Sequence, residues 1–148
     1  MSNPAPRAVA VYCGSSRGTD PVYARAAASL GRLLAERGIR LVYGGGDVGL
    51  MGVLADAVRE DGGEVLGVIT RALVDREVAH SGLTNLTVVE TMHERKAVMS
   101  DAAGAFIMLP GGYGTFDEFF DDDPARLLDR LAAWTPVTTD KWLESSER

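Results

Sequence analysis

Short apolar runs rich in β-forming residues alternate with segments of helical periodicity along most of this chain. The run AVAVYC, at residues 8–13, has no polar alternation, which is typical of a strand covered on both faces. A small-residue turn follows it, and then a helix that Asp20 caps and Pro21 begins. Further apolar runs lie at residues 39–43, 65–69, 86–89 and 105–109. This alternation predicts a parallel sheet with helices on both faces.

The segments between the apolar runs have the spacing of amphipathic helices. Tyr23, Ala27, Leu30 and Leu34 recur on one face of the first helix, which ends at Gly38. The other helices are predicted from the turn at 44–52 to the glycine pair at 62–63, around 92–103, and at 123–134. Residues 70–83 read as a looser connection. We therefore predict a Rossmann-like, doubly wound α/β fold of three αβα layers.

Length and composition limit both the size of the protein and its partners. A chain of 148 residues that is 46% hydrophobic fits one domain, residues 1–148. The net charge of −6 and the lack of a Lys/Arg run argue against a nucleic-acid partner. There is neither a signal-peptide pattern nor an apolar run of about 18 residues, so we expect no membrane contact and a cytoplasmic location.

The single cysteine, Cys13, excludes an internal disulfide. It could act as a nucleophile, but it ends an apolar strand, and free cysteine is among the most buried residue types. The sequence favours a packing role for Cys13.

Three turns rich in glycine or small residues follow predicted strands, at residues 14–19, 44–52 and 111–115. The carboxyl ends of parallel strands meet at one sheet edge, where doubly wound folds bind their ligands. Each turn alone could be a plain connection, but three at one edge favour a site, with Ser15, Gly45 and Gly46 as candidate contacts. None spells GxGxxG with an acidic residue about 20 positions on, and none spells the P-loop, so a dinucleotide or NTPase site is disfavoured.

The third turn lies in PGGYGTFDE, between an apolar strand and the start of an acidic, apolar-patterned helix. Glycines let backbone N–H groups approach a phosphate, and the positive end of the helix dipole adds attraction. Gly111, Gly112, Gly114 and Thr115 would cradle such a phosphate. Pro-Gly-Gly also occurs in ordinary loops. Since the chain is acidic, the phosphate would belong to a small molecule that is bound locally.

The motifs GGGDVGLMG, MHERK and PGGYGTFDE occur in this order along the chain. Their order and spacing resemble the LOG ("lonely guy") family of cytokinin riboside 5'-monophosphate phosphoribohydrolases, which were long labelled lysine decarboxylases. The resemblance covers residues 8–120. It implies hydrolysis of the N-glycosidic bond of a purine nucleoside 5'-monophosphate, without a cofactor, in a homodimer. The motifs do not separate a prenylated adenine substrate from AMP itself.

The same resemblance implies roles for individual residues. Arg95 and Glu118 would be catalytic, and the substrate contacts would be Glu77, Lys96, Gly111, Gly112, Tyr113, Gly114 and Thr115. From the residues alone, Glu118 could instead form a capping box with Thr115. Arg95 and Lys96 could equally lie on a solvated helix face.

The two histidines, His80 and His93, read as hydrogen-bonded scaffold. The sequence places no cysteine or pair of carboxylates near either of them, so we predict no metal site. Two other functions remain to be weighed. A pyridoxal-phosphate decarboxylase needs a Schiff-base lysine, and the chain has only Lys96 and Lys141, with no second domain evident. A non-catalytic nucleotide carrier could use the same turns.

The chain departs from the family after Phe120. It passes there straight to DDDPARLLDRLAAW, so one strand–helix unit of roughly 30 residues is missing relative to the family. Either the protein is internally shortened, or a segment between residues 120 and 121 is absent from the sequence. The unpaired sheet edge that a deletion would leave favours the second interpretation.

Overall fold

A computed structural model describes residues 5–14, 17–76, 79–109 and 128. The predicted alternation of strands and helices is confirmed within these ranges. The junction after Phe120 and the predicted closing helix, apart from the helical and buried Leu128, lie outside them. The elements are β1 (Ala8–Tyr12), α1 (Pro21–Glu36), β2 (Arg40–Tyr43), α2 (Gly49–Glu60), β3 (Val65–Thr70), α3 (Arg71–Asp75), β4 (Leu86–Val89), α4 (Met92–Ala102) and β5 (Ala105–Met108).

The described strands form one parallel sheet in the order β4-β3-β2-β1-β5. The chain builds outward from β1 to β4 and then returns to the other side of β1 for β5. This reversal makes the sheet doubly wound, as predicted, and places its switch point between β1 and β5. The short helix α3 was not predicted, because five residues carry too little periodicity to stand out from a loop.

Successive residues of β1 pack into different cores, which is why its sequence shows no polar alternation. Val9 and Val11 are buried on the face that α1 and α2 cover, with Leu30 and Leu54 among their neighbours. Ala10 packs on the opposite face in a second cluster, which also contains Val42, Val68 and Met99. Met99 lies on α4, so the helices cover both faces of the sheet.

The ends of α1 follow the sequence signals. Asp20 Oδ1 accepts a hydrogen bond of 3.0 Å from the Val22 N–H, and Pro21 occupies the first turn. Gly38, at φ +64°, ends the helix in the left-handed conformation that glycine adopts without strain. No helix in the described ranges is long and apolar enough to cross a bilayer.

The helices α1 and α2 approach closely at Gly31. A Cβ atom added there would lie 2.7 Å from Ala57 Cβ and 2.8 Å from the Leu54 carbonyl oxygen. These distances are too short for any real Cβ, so glycine sets the separation of the two helices.

We predict that Gly31→Ala lowers the free energy of unfolding by about 1–3 kcal/mol, because the helices must separate to admit the methyl group. The gain of about 1 kcal/mol in helix propensity offsets only part of this loss. Urea denaturation measures the change. Arg32→Ala, at an exposed neighbouring position, is the control and should stay within about 0.5 kcal/mol of wild type. A Gly31→Ala protein as stable as wild type would contradict the packing argument.

Candidate active site

A cavity of about 500 Å³ opens at the carboxyl ends of the strands. The ends of β1 and β3, the turn after β2, and helices α2, α3 and α4 all contribute to its wall. Most of the lining is apolar; its charged members are Arg95 and Lys96. A second cavity, of about 480 Å³, lies at the opposite edge of the sheet, beside Arg7, Arg40 and Glu64. Its described lining includes none of Gly45, Gly46, Arg95 and Lys96.

Arg95 joins α4 to the ends of two strands. Its Nε donates to the carbonyl oxygen of Val68 at 2.8 Å, and its Nη2 donates to that of Gly44 at 2.6 Å. These partners are 27 and 51 residues away in sequence. The guanidinium is therefore half-buried and held in one orientation, and the interpretation of Arg95 as part of a solvated helix face is wrong.

The start of α4 is fixed in a way that supports Arg95. Thr91 Oγ1 accepts from the Glu94 N–H at 3.1 Å, and Glu94 Oε2 accepts from the Glu90 N–H at 2.9 Å. The first bond satisfies a backbone donor that the helix leaves unpaired, and the second ties the Glu94 side chain to the residue before the N-cap, one position from where a capping box would place it. Arg95 follows directly after this capped turn, so its position along the strand ends is set by local sequence as well as by packing.

Burial lowers the pKa of Arg95, while the nearby Tyr12 raises it. The guanidinium keeps its charge at any working pH. Two of its five N–H groups go to the carbonyls, and Nη1 lies 3.8 Å from Met92 Sδ. The Nη1 contact is a weak hydrogen bond to sulfur, so three of the five N–H groups are used and, among the described residues, the other two have no partner. Arg95 can therefore offer a positive charge and donors to a ligand in the cavity.

The turn after β2 brings three glycines against the site. Gly44 has no room for a Cβ, because the atom would overlap the Arg95 guanidinium. Gly45 has φ +71°, and a Cβ there would lie 3.0 Å from Leu86 Cδ1. The buried Tyr43 hydroxyl donates to the Gly46 carbonyl at 3.0 Å. Burial, followed by the charges of Asp47 and Asp56, raises the pKa of Tyr43 far above its usual value, so this donor stays protonated.

His80 lies beside two carboxylates, a contact that the sequence analysis did not predict. Its Nε2 is 2.7 Å from Asp56 Oδ1 and 3.5 Å from Asp47 Oδ1, so the premise that no pair of carboxylates lies nearby was wrong. The Gly82 N–H donates to Nδ1 at 3.0 Å, which places the ring hydrogen on Nε2, pointing at Asp56. A metal at Nε2 would require the hydrogen on Nδ1, facing Gly82. This geometry disfavours a metal site and agrees with His80 as hydrogen-bonded scaffold.

Cys13 also lines the cavity and is half-buried. Burial raises its pKa to about 12, so it is a neutral thiol near neutral pH and a poor nucleophile. The packing role that the sequence favours fits this environment.

The structure brings part of the predicted site together. Arg95, Lys96 and Gly46 line the cavity, and Gly45 lies just behind it with its carbonyl bonded to the His80 N–H. The sequence analysis placed Gly44 in a candidate turn without singling it out, and it did not name Tyr12, which ends β1 at the same edge. The remaining candidates lie outside the described residues: Ser15, Glu77, Gly111, Gly112, Tyr113, Gly114, Thr115 and Glu118.

Comparison with known proteins identifies the family. A family model described as "Possible lysine decarboxylase" matches residues 51–122. The cytokinin riboside 5'-monophosphate phosphoribohydrolase of Rhodococcoides fascians is 49% identical over 122 residues, which cover 82% of this chain and 62% of that protein. The chain belongs to the LOG family. The Arabidopsis thaliana member LOG2 is 50% identical over 115 residues, covering 78% of this chain and 54% of LOG2. This LOG family chain thus spans about half to three fifths of the length of these relatives.

Solved structures agree with the fold. The X-ray structure of TM1055, a structural-genomics target, is 27% identical, with a TM-score of 0.59 over 71% of this chain and 61% of that one. The molybdenum cofactor binding protein of Rippkaea orientalis has a TM-score of 0.61 over 97% of this chain and 95% of its own, at 19% identity. At that identity the likeness concerns the fold alone.

We predict that Gly44→Ala lowers kcat at least about tenfold, because the new methyl group displaces the Arg95 guanidinium. In an Arg95→Ala background the same change should have little further effect, since the group it displaces is gone. Wild type, the two single variants and the double variant are compared in steady-state assays of base release, the activity proposed in the next subsection. Gly104→Ala is the control, because a Cβ there meets only ordinary contacts at 3.5 Å or more. Additive losses from Gly44→Ala and Arg95→Ala would contradict the proposed displacement.

Proposed function

We propose that this chain hydrolyses the N-glycosidic bond of a purine nucleoside 5'-monophosphate, namely cytokinin riboside 5'-monophosphate or AMP. Water adds to the anomeric carbon, the bond to the base breaks, and the base leaves with a proton as ribose 5-phosphate forms. The reaction uses no cofactor. The observation that carries the proposal is the oriented, half-buried Arg95 at the wall of an apolar cavity at the carboxyl edge of the sheet.

Arg95 suits this reaction because charge is redistributed when the base departs. Electrons of the breaking bond move onto the purine, and a fixed guanidinium stabilises that developing negative charge or holds the phosphate. Its two carbonyl partners fix the orientation before substrate binds, so little reorganisation is needed in the transition state. A lysine offers a point charge without this planar fork.

The apolar part of the cavity suits a purine ring. Met51, Ile69, Leu73 and Met92 line it beside the two cationic side chains. Flat aromatic bases pack well on apolar surfaces, and flexible methionines adapt to their outline. Such a lining is compatible with plain adenine and with a base that carries an apolar substituent, so both substrates are retained.

The other assignments follow from the resemblance to the LOG family. Glu118 would orient the attacking water or offset positive charge at the anomeric carbon, as carboxylates do in glycoside hydrolysis. The phosphate would bind at Gly111, Gly112, Gly114 and Thr115, with Ser15, Glu77, Tyr113, Lys96, Gly45 and Gly46 as further substrate contacts. Homologues named as phosphoribohydrolases at about 50% identity support these roles.

The two other functions have less support. Lys96 has a cationic neighbour in Arg95, but its side chain is exposed and so lacks the desolvation that also activates a Schiff-base lysine. The geometry therefore gives little support to a pyridoxal-phosphate decarboxylase. A nucleotide carrier needs the cavity but not the oriented Arg95. The fold shared with molybdenum cofactor proteins does not by itself favour a carrier, since one fold supports many functions.

A homodimer and a cytoplasmic location are also part of the proposal. The support for a dimer is an exposed apolar strip where Tyr12 stacks on Phe106, with ring centroids 6.3 Å apart, beside the 78% exposed Met108. Exposed apolar clusters of this kind often mark protein contacts. The support for the cytoplasm is the single cysteine of the sequence, because small secreted domains commonly rely on paired cysteines.

We predict that the protein releases base from AMP or a cytokinin riboside 5'-monophosphate with a kcat/KM at least about a hundredfold above that for the matching nucleoside, because phosphate binding positions the ribose. Chromatography of the released base measures both rates. Equal turnover of nucleoside and monophosphate would contradict the phosphate-anchored mechanism.

We also predict that Glu118→Gln abolishes turnover while nucleotide affinity stays within about tenfold of wild type, since a group that acts in the transition state affects rate more than binding. Base-release assays and calorimetric titration with AMP measure the two quantities. The carrier hypothesis would gain if wild-type protein bound AMP but released no base.

A further inference from the structure

His80 is buried in the loop that joins α3 to β4, with 6% of its surface exposed. The ring bridges two elements: Nε2 meets Asp56 Oδ1 on α2 at 2.7 Å, and Nδ1 accepts from the Gly82 N–H at 3.0 Å. The other charged groups here are Asp47, 3.5 Å from Nε2, and Arg59, whose Nη1 lies 3.6 Å from Asp56 Oδ1. Both ring nitrogens are therefore used, and residue 80 is fixed relative to α2.

The backbone of the same residue holds the glycine turn of the cavity. The His80 N–H donates to the Gly45 carbonyl at 2.8 Å, and Ala79 forms an antiparallel bridge with Gly46. The carbonyl of the preceding residue in the turn, Gly44, accepts a hydrogen bond from Arg95 Nη2. A continuous path of hydrogen bonds and peptide units thus runs from α2 through His80 and the turn to the guanidinium.

The path has few alternatives among the described residues. Gly45 has φ +71° and is flanked by two more glycines, so this stretch of backbone has little conformational preference of its own. Its shape must come from its contacts. Gly45 packs against Leu86 and β3. The hydrogen bonds and the β-bridge to the turn come from Tyr43 and Arg95 on one side, and from His80 and Ala79 on the other. Loss of the contacts from residues 79 and 80 would leave the Gly44 carbonyl, and hence Arg95, less well oriented.

We infer that His80 is a positioning residue for Arg95: its ring, anchored on Asp56, holds the turn 44–46 so that the Gly44 carbonyl can fix the guanidinium. The expected change in kcat rests on the proposed function, whereas the expected change in the order of the Arg95 side chain does not. It predicts that the His80 ring controls kcat, and the order of the Arg95 side chain, from a position outside the cavity wall.

The test compares His80→Ala with two variants that each restore one ring contact. The amide nitrogen of glutamine takes the place of Nε2 and can donate to Asp56, while the oxygen of asparagine takes the place of Nδ1 and can accept from Gly82. We expect His80→Ala to lower kcat at least about thirtyfold with KM changed less than about threefold, because Arg95 is misplaced in the transition state. His80→Gln should recover most of kcat, and His80→Asn less, since the anchor on α2 is the decisive contact.

A readout that does not depend on activity is the Nε–H signal of Arg95 in a ¹H–¹⁵N spectrum. Bonded to the Val68 carbonyl, this hydrogen should exchange slowly with water in wild type, and at least about fivefold faster in His80→Ala. Val65→Ala is the matched control, because it also weakens the buried core but lies at the start of β3, away from the cavity. It should leave both kcat and the exchange rate unchanged.

Asp56→Ala and Asp56→Asn test the same path at its start on α2. They also keep the inference testable if His80→Ala does not fold. Asp56 is about half exposed, so neither change empties the core. We expect Asp56→Ala to reproduce both effects and Asp56→Asn to retain most of kcat. Wild-type kcat and Arg95 exchange in Asp56→Ala and His80→Asn would overturn the inference. A wild-type protein without base release would overturn the proposed function, while the exchange rates would still decide the positioning role.

Discussion

The two hydrogen bonds from Arg95 to main-chain carbonyls are the interaction on which the site depends. Val68 lies in β3 one residue beyond the last pair with β2, Tyr43 with Gly67, and Gly44 follows the end of β2. Carbonyls at strand ends run out of ladder partners, and a buried one left unpaired is costly. Arg95 satisfies both from α4, on the opposite side of the sheet from α1 and α2. One side chain thereby ties the second helical layer to the sheet and presents its charge to the cavity.

Glycine makes this arrangement possible, because the backbone around the cavity is packed too closely for side chains. A Cβ at Gly67 would lie 2.7 Å from Leu83 Cδ1 and 3.0 Å from Gly45 Cα, and one at Gly44 would overlap Arg95. The turn after β2 can therefore lie in the cavity wall because its glycines carry no side chains. The cost is a backbone with little preference of its own, which neighbouring elements must hold through contacts such as those of His80 and Tyr43.

Membership of the LOG family and the chemistry of the cavity both agree with the proposed function. A chain with a net charge of −6 repels phosphates overall, so the proposed nucleotide substrate would have to be bound by a few local cationic groups. Arg95 and Lys96 are the cationic side chains in the described cavity wall, beside the apolar residues to which the proposal assigns the purine. The relatives extend well beyond the matched region, and the prediction that a strand–helix unit is absent after Phe120 stays a prediction.

The sequence alone determined the layers of this protein. Apolar runs without polar alternation, such as residues 8–13, indicated a sheet covered on both faces. Asp20 and Gly38 marked the ends of α1. The order of three motifs indicated the family. The rule that turns after parallel strands share one sheet edge named Gly45 and Gly46 as candidate contacts. Arg95 and Lys96 were named through the resemblance of MHERK to the LOG family.

Only the tertiary structure decided what each of these groups touches. The bonds from Arg95 span 27 and 51 residues, and the contact between His80 and Asp56 spans 24, so no local periodicity records them. The same holds for the carboxylates beside His80, which the sequence analysis placed too far away, and for the role of Gly44 as an acceptor. Periodicity reports which face of an element is buried, but partners distant in the chain meet only when the sheet order and the helix crossings are set.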